Sequence, residues 1–163
     1  MAQQLQFALL HHYDSRTLGI DLPILLRSGI QAVEFVASLD TGASYCIFER
    51  ALGERLGLVI ESGLPQVIGS VRGSFLTYGH EILLSVLGIE TTATVYFAAD
   101  ETFTRNVLGR QGWLDHVRLG LVDYDSQLYL SDALPVICSQ PSAVPVECSV
   151  PAQSARSEIR GAR

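Results

Sequence analysis

Lysine is missing from this 163-residue chain, in which all eleven basic residues are arginine. Without a lysine amine there can be neither a Walker A phosphate loop nor Schiff-base chemistry, so two large groups of enzymes drop out at the start. Charge of either sign is scarce: charged residues make up 17% against a usual share of about 25%, and the formal net charge is -6. No basic stretch occurs, so the attraction that holds a phosphate backbone is lacking and nucleic acid is not an expected partner. Long apolar runs are lacking too. None approaches the roughly 18 residues of a membrane span, and MAQQLQFALLHHYDS has neither the basic start nor the apolar centre of a secretory signal. Cysteine is limited to Cys46, Cys138 and Cys148, which give no disulfide scaffold and no paired C-x-x-C zinc spacing. These absences predict a soluble, cytoplasmic chain in a reducing compartment, with no membrane partner and no structural zinc.

What is present predicts one all-β domain. Hydrophobic residues reach 48%, enough to bury a sizeable core, and the length suits a single domain. Short apolar segments rich in β-branched and aromatic residues are separated by Gly, Asp and Asn, the pattern of a barrel or sandwich. Strands are expected at Gln4–Leu10, Leu22–Leu26, Ala32–Leu39, Gln66–Ile68, Ser74–Tyr78, Ile82–Leu87, Thr91–Ala98, Arg118–Val122 and Gln127–Leu130. Two segments have helical spacing instead: Glu49–Leu56, with Leu52 and Leu56 four apart, and Gln111–Val117, where Trp113 and Val117 would share a face. Four of the six prolines lie between Pro135 and Pro151, and no aromatic residue follows Tyr129. The domain is therefore expected over residues 1–134, with a flexible, Pro-rich tail over 135–163.

The chemistry concentrates in Val33–Phe48, VEFVASLDTGASYCIF, where an apolar strand runs into Asp40-Thr41-Gly42-Ala43-Ser44. A carboxylate on a tight turn at the end of a buried strand is held rigidly, and the adjacent glycine lets another backbone or a substrate come close. Thr41 offers a hydroxyl to a neighbouring chain. Asp-Thr-Gly alone is also a common turn. A second segment, Arg105–Leu114, reads RNVLGRQGWL, with two apolar residues before Gly109-Arg110.

Together LDTGAS and NVLGR resemble the retropepsins, the retroviral and retroviral-like aspartic proteases, over roughly residues 18 to 117. The segments YGH (Tyr78–His80), VYFA (Val95–Ala98) and LGRQGWLD (Leu108–Asp115) are similar to bacterial members of that family. The resemblance implies a closed acid-protease barrel with one or two short helices. It makes Asp40 the catalytic aspartate, Thr41 the residue that locks two catalytic loops together, and Gly42 the residue whose carbonyl receives substrate. Ala43 and Ser44 lie beside the substrate, while Val107, Leu108 and Gly109 form the strand that braces the loop. Arg110 matches an arginine whose acidic partner in retroviral enzymes follows the catalytic motif. Here Ser44 and Tyr45 stand in that place, which leaves Asp115 as a candidate partner.

The family's reaction needs two carboxylates about 3 Å apart sharing one proton, so that one takes a proton from water while the other donates to the peptide carbonyl. Since Asp-Thr-Gly occurs once, the pair requires two copies of the chain, and a homodimeric aspartic endopeptidase acting on peptide or protein, with no cofactor or metal, is implied. Terminal strands, Gln4–Leu10 or Gln127–Leu130, are expected in the dimer interface because their edges would otherwise stay unpaired. A lid is expected at Ile68–Tyr78, where Gly69 and Gly73 bracket a tip carrying Val71 and Arg72; Val71, Arg72 and Gly73 would touch substrate. The rival readings are a catalytically silent dimerisation or peptide-binding module on the same barrel and a monomeric barrel for a small molecule.

Other residues carry plainer expectations. His11 and His12 are adjacent on an expected strand and point to opposite faces, so with Asp14 they read as surface residues rather than a metal site. Asp123–Ser126 lacks the glycine and glutamate of a calcium loop and reads as a hairpin turn. Cys46 reads as a small buried hydrophobe. A chain ending at Ala133 should fold with an almost unchanged melting temperature, measured by circular dichroism, because the tail has no aromatic anchor; an insoluble product would place part of the core or interface in residues 134–163.

Overall fold

The computed structural model describes residues 5–70 and 73–132. The expected tail at 135–163, Val71 and Arg72 of the expected lid, and Gln4 at the start of the first expected strand lie outside the described residues. The described chain is mostly β: β1 (Leu9–His12), β2 (Asp21–Ser28), β3 (Gln31–Leu39), β4 (Ile47–Phe48), α1 (Arg50–Arg55), β5 (Leu64–Ser70), β6 (Gly73–Val86), β7 (Ile89–Ala98), β8 (Val107–Leu108), β9 (Val117–Val122) and β10 (Gln127–Asp132). Single 3-10 turns at Ile60–Ser62, Leu114–His116 and Asp123–Asp125 join them, the last making the expected turn between β9 and β10. No helix among the described residues is long and apolar enough to cross a membrane.

Seven strands form one sheet in the order β2-β3-β8-β4-β7-β6-β5. The β2 strand also pairs with β6, from Ile24↔Val86 to Arg27↔Leu83, so the ladder returns to the strand where it began. Alternation fixes the inner face. Leu22, Ile24 and Leu26 of β2 are buried while Asp21 and Pro23 are exposed, and Ala93, Val95 and Phe97 of β7 alternate in the same way. Leu52 and Leu56 close one end of the core from α1, as their four-residue spacing predicts. Gly53 of that helix has no room for a side chain, because a Cβ there would stand 3.0 Å from the Phe97 ring and 2.5 Å from Ile60 Cδ1.

Three expectations are corrected. Ser74–Tyr78 and Ile82–Leu87 are one continuous strand, β6, within which burial changes phase: Thr77 and Gly79 are buried in its first half, Ile82, Leu84 and Val86 in its second. The register against β7 is unbroken from Thr77↔Ala98 to Val86↔Ile89, so the strand changes neighbours, not direction: its first half pairs with β5, its end with β2. The helix expected at Gln111–Val117 is reduced to the 3-10 turn at Leu114–His116. Gly112 at φ +100° breaks helical geometry, and the Arg110 and Gln111 amides donate to the carbonyls of Ala43 and Ser44. Trp113 is fully buried, and Val117 begins β9.

The third correction concerns the ends. The β1, β10 and β9 strands form a separate antiparallel sheet with β10 in the middle, paired with Leu9–His12 on one side and Val117–Val122 on the other. Gln127–Leu130 therefore has no free edge to offer a second chain; the edges of this sheet are β1 and β9. The β1 strand starts at Leu9, five residues later than expected, and carries a half-buried His11 next to an exposed His12, the opposite-face arrangement that adjacency requires.

The core centres on Phe48 and Phe97, both fully buried with ring centroids 6.2 Å apart. Truncation of Phe97 to Ala should cost about 3–5 kcal/mol, as for a large side chain removed from a packed interior. Val36→Ala, at a position 57% exposed, should change stability by less than about 0.5 kcal/mol. Urea unfolding of the two variants tests the contrast.

Candidate active site

The end of β3 delivers Asp40 to the surface of the sheet. Parallel pairing of Ser38 with Val107 and Leu39 with Leu108 carries the ladder to the strand's last residue, and the Asp40 amide extends it by donating to the Leu108 carbonyl at 3.0 Å. The chain then turns on itself. One carboxylate oxygen, Oδ1, accepts the Gly42 amide at 2.9 Å and the Ala43 amide at 3.2 Å, and the Ala43 amide also reaches the Asp40 carbonyl. The Asx turn orients the carboxylate with its own backbone, which is why Asp followed by Thr-Gly suits this corner. A Cβ on Gly42 would stand 3.2 Å from that same oxygen.

Beyond the turn, the loop is bound to the chain that follows β8. The Arg110 amide donates to Ala43 O and the Gln111 amide to Ser44 O, both at 2.9 Å, and the Cys46 amide donates to Gln111 O at 3.3 Å. The two backbones cross so closely at Gly109 that an added Cβ would lie 2.2 Å from Tyr45 O and 2.5 Å from Tyr45 C. Cys46 lies beneath the crossing with no exposure, its thiol pushed up to about 12 chiefly by burial. It stays a protonated, packed side chain at ordinary pH, which is the role its sequence context predicts.

Above Asp40 stands the hairpin of β5 and β6, paired from Leu64↔Gly79 to Ser70↔Gly73. Ile68, Gly69 and Ser70 of its first strand and Gly73, Ser74 and Phe75 of its second face an open cleft of about 820 Å³. Asp40, Gly42 and Ala43 line the floor of that cleft together with Ile47 and Val107. The far wall is the loop after β7, through Asp100, Thr102, Phe103 and Arg105. Phe75 stacks on Phe103 with centroids 5.0 Å apart, joining hairpin to wall. Asp100 is held below the usual carboxylate range by the Thr102 amide and hydroxyl, which donate to it at 2.8 and 2.7 Å.

The structure thus brings Asp40, Gly42, Ala43, Gly73 and Val107 to one cleft. Thr41 and Ser44 are exposed on the same loop without lining it, and Leu108 and Gly109 are buried behind it. Arg110 is exposed, and none of the ion pairs among the described residues involves it. Asp115 is not its ion partner: Asp115 Oδ1 accepts the Gly112 amide at 3.0 Å and its own amide donates to Arg110 O, so it caps the tight turn. The wall residues were not anticipated from the sequence. Their only signal is position, a polar stretch immediately before the bracing strand. Asn106 in that stretch anchors the wall, donating to Glu49 Oε1 at 2.7 Å and accepting the Glu49 amide at 3.0 Å.

No protein-family model matches the chain, and no curated protein does either. Among solved structures it is similar to the EIAV protease complexed with the inhibitor HBY-793, at 21% identity and a TM-score of 0.45, over 56% of this chain and 82% of that one.

The crossing at Gly109 generates a sharp expectation. Gly109→Ala places a methyl group inside the Tyr45 backbone, which cannot move aside as a side-chain end could, so stability should fall by about 3 kcal/mol or more. Gly69→Ala, where nothing lies within 4 Å of the added carbon, should be nearly neutral. Thermal unfolding of both variants checks the difference.

Proposed function

We propose that the chain is an aspartic endopeptidase of retropepsin type, a closed barrel active as a homodimer that hydrolyses extended peptide or protein segments. The observation that carries the reading is the setting of Asp40. One of its oxygens is tied to two backbone amides, the other makes no hydrogen bond among the described residues, and the carboxylate lines a cleft roofed by a hairpin. A side chain so oriented, at the rim of a loop whose Thr41 and Gly42 are exposed, is half of a symmetric site.

One carboxylate cannot serve as acid and base at once. Two Asp40 carboxylates brought to about 3 Å share a single proton, because like charges so close do not both ionise. The ionised member takes a proton from a water held between them as that water attacks the peptide carbonyl. The protonated member gives its proton to the carbonyl oxygen, and the tetrahedral diol so formed breaks its C–N bond as a proton passes to the leaving nitrogen. The exposed Thr41 hydroxyl is the group placed to tie one loop to the other, and Gly42, Ala43 and Ser44 border the substrate. Val107, Leu108 and Gly109 hold the loop still, Arg110 follows them at the surface, and Val71, Arg72 and Gly73 are read as the lid residues that would touch substrate. Water exclusion by the hairpin strengthens each charge interaction beneath it.

Asp40→Asn should abolish cleavage of a diverse peptide mixture, read by mass spectrometry between pH 4 and 8, while leaving the fold intact. Mixing wild-type chains with an excess of Asp40→Asn chains, under conditions where subunits exchange, should depress activity well beyond dilution, since mixed pairs keep one carboxylate. Activity that tracks only the amount of wild type would falsify the shared site. A wild-type dimer that binds peptides and cleaves none would identify the silent module instead.

A further inference from the structure

Among the described residues, the charged side chains lining the cleft are three: Asp40, Asp100 and Arg105. Asp40 is bound into its turn and Asp100 into the bonds from Thr102. Arg105 is different. It is exposed, and it takes part in no ion pair and no side-chain hydrogen bond among the described residues, in contrast to Arg50, which is held by both Glu54 and Glu61. The backbone around it is nonetheless fixed. Asn106 turns away to Glu49, and its carbonyl accepts the Ser38 amide at 2.9 Å, while Arg105 and Val107 on either side of it both face the cleft. Val107 pairs with Ser38, two residues before Asp40. At about 3.3 Å per residue, Arg105 therefore starts some 7 Å before Val107 and at most roughly 13 Å along the ladder from the level of Asp40.

We infer that Arg105 is a specificity-determining residue, which selects peptides carrying aspartate or glutamate close to the bond placed over Asp40. The inference rests on the reading of the cleft as a peptide site. A guanidinium presents a planar fork of donors that matches a carboxylate in two parallel hydrogen bonds. Fixed at its root and free at its head, it is open to an anionic partner, which none of the described residues supplies. The rest of the lining is apolar or uncharged around Ile47, Ile68 and Phe75, so such a pair would form in surroundings drier than the open surface.

The test uses binding, so that it does not depend on hydrolysis. Decapeptides with Glu or Gln at each position in turn are titrated against the Asp40→Asn protein, and non-hydrolysable reduced-amide versions against wild type. At one or two positions, Glu should bind about tenfold tighter than Gln, with the difference shrinking as salt is raised. Arg105→Gln should bring the two to parity, Arg105→Lys should keep part of the preference, and Arg105→Glu should turn it toward Lys or Arg. Equal binding of Glu and Gln peptides, a preference that survives Arg105→Gln, or no peptide binding at all would each overturn the inference. A preference that vanishes with Arg105→Gln in a wild-type protein that cleaves nothing would uphold it and sink only the protease reading.

Discussion

The close crossing of Gly109 over Tyr45 is the constraint on which the rest of the site depends. Because no side chain separates the two backbones, β8 can enter between β3 and β4, pairing in parallel with Leu39 on one side and antiparallel with Ile47 on the other. That insertion gives the Asp40 and Cys46 amides and the Ala43 and Ser44 carbonyls main-chain partners at Leu108, Arg110 and Gln111. A loop would otherwise leave those groups to water and to motion. Asp40 is thus held by backbone bonds on both flanks, and its orientation owes nothing to a flexible side chain. On the reading proposed for this cleft, such preorganisation would matter because a few tenths of an ångström decide whether two carboxylates can share a proton.

The legible parts of the fold were those in which one period ran through a segment without interruption. Leu22, Ile24 and Leu26 alternate cleanly and form a strand; Leu52 and Leu56 are spaced for a helix, and the helix that forms holds Leu52 and is capped by Leu56. The β6 strand was read as two because its apolar phase shifts between Gly79 and Ile82, and no local signal distinguishes a strand that changes neighbours from one that ends. The Gln111–Val117 segment failed for the opposite reason: its spacing suited a helix, but Gly112 and the distant carbonyls of Ala43 and Ser44 claimed its backbone first. The loop motif and its brace were legible because Asp, Gly and paired apolar residues are each demanded by geometry. Asp100, Phe103 and Arg105 were not, since nothing in a polar loop says which way it faces.

The cleft has a rigid side and a looser one. Its floor is the crossing of β3, β4 and β8, fixed by main-chain bonds. Its roof is the outer half of the β5–β6 hairpin, which among the described residues is tied to the chain after β7 by the Ala99 amide donating to Leu76 O at 2.9 Å, touches the wall through the Phe75–Phe103 stack, and is otherwise paired to itself. Exposed Val67 and Leu76 on that hairpin show how little of it is packed. A ladder supported at one end opens more easily than one supported along its length. On the proposed reading, the division would suit a site that holds a reacting group still while admitting a polypeptide across it.

Charge gives the cleft a second asymmetry. The chain as a whole is acidic, at -6, so its long-range field repels an acidic peptide and, if anything, slows its approach. Salt at physiological strength confines such a field to about 8 Å. Among the described residues lining the cleft Arg105 is the cation, and on the proposed reading its attraction would be strongest with water excluded by the hairpin. Selection for an acidic peptide, on the reading proposed for this cleft, would therefore act after encounter, in how long a bound segment stays, rather than in how often one arrives. A neutral or basic segment would meet the cleft more often and leave it sooner. The part that Arg105 plays in substrate choice would then come from an exposed side chain whose backbone is anchored, through Asn106 and Ser38, to the same strands that hold Asp40.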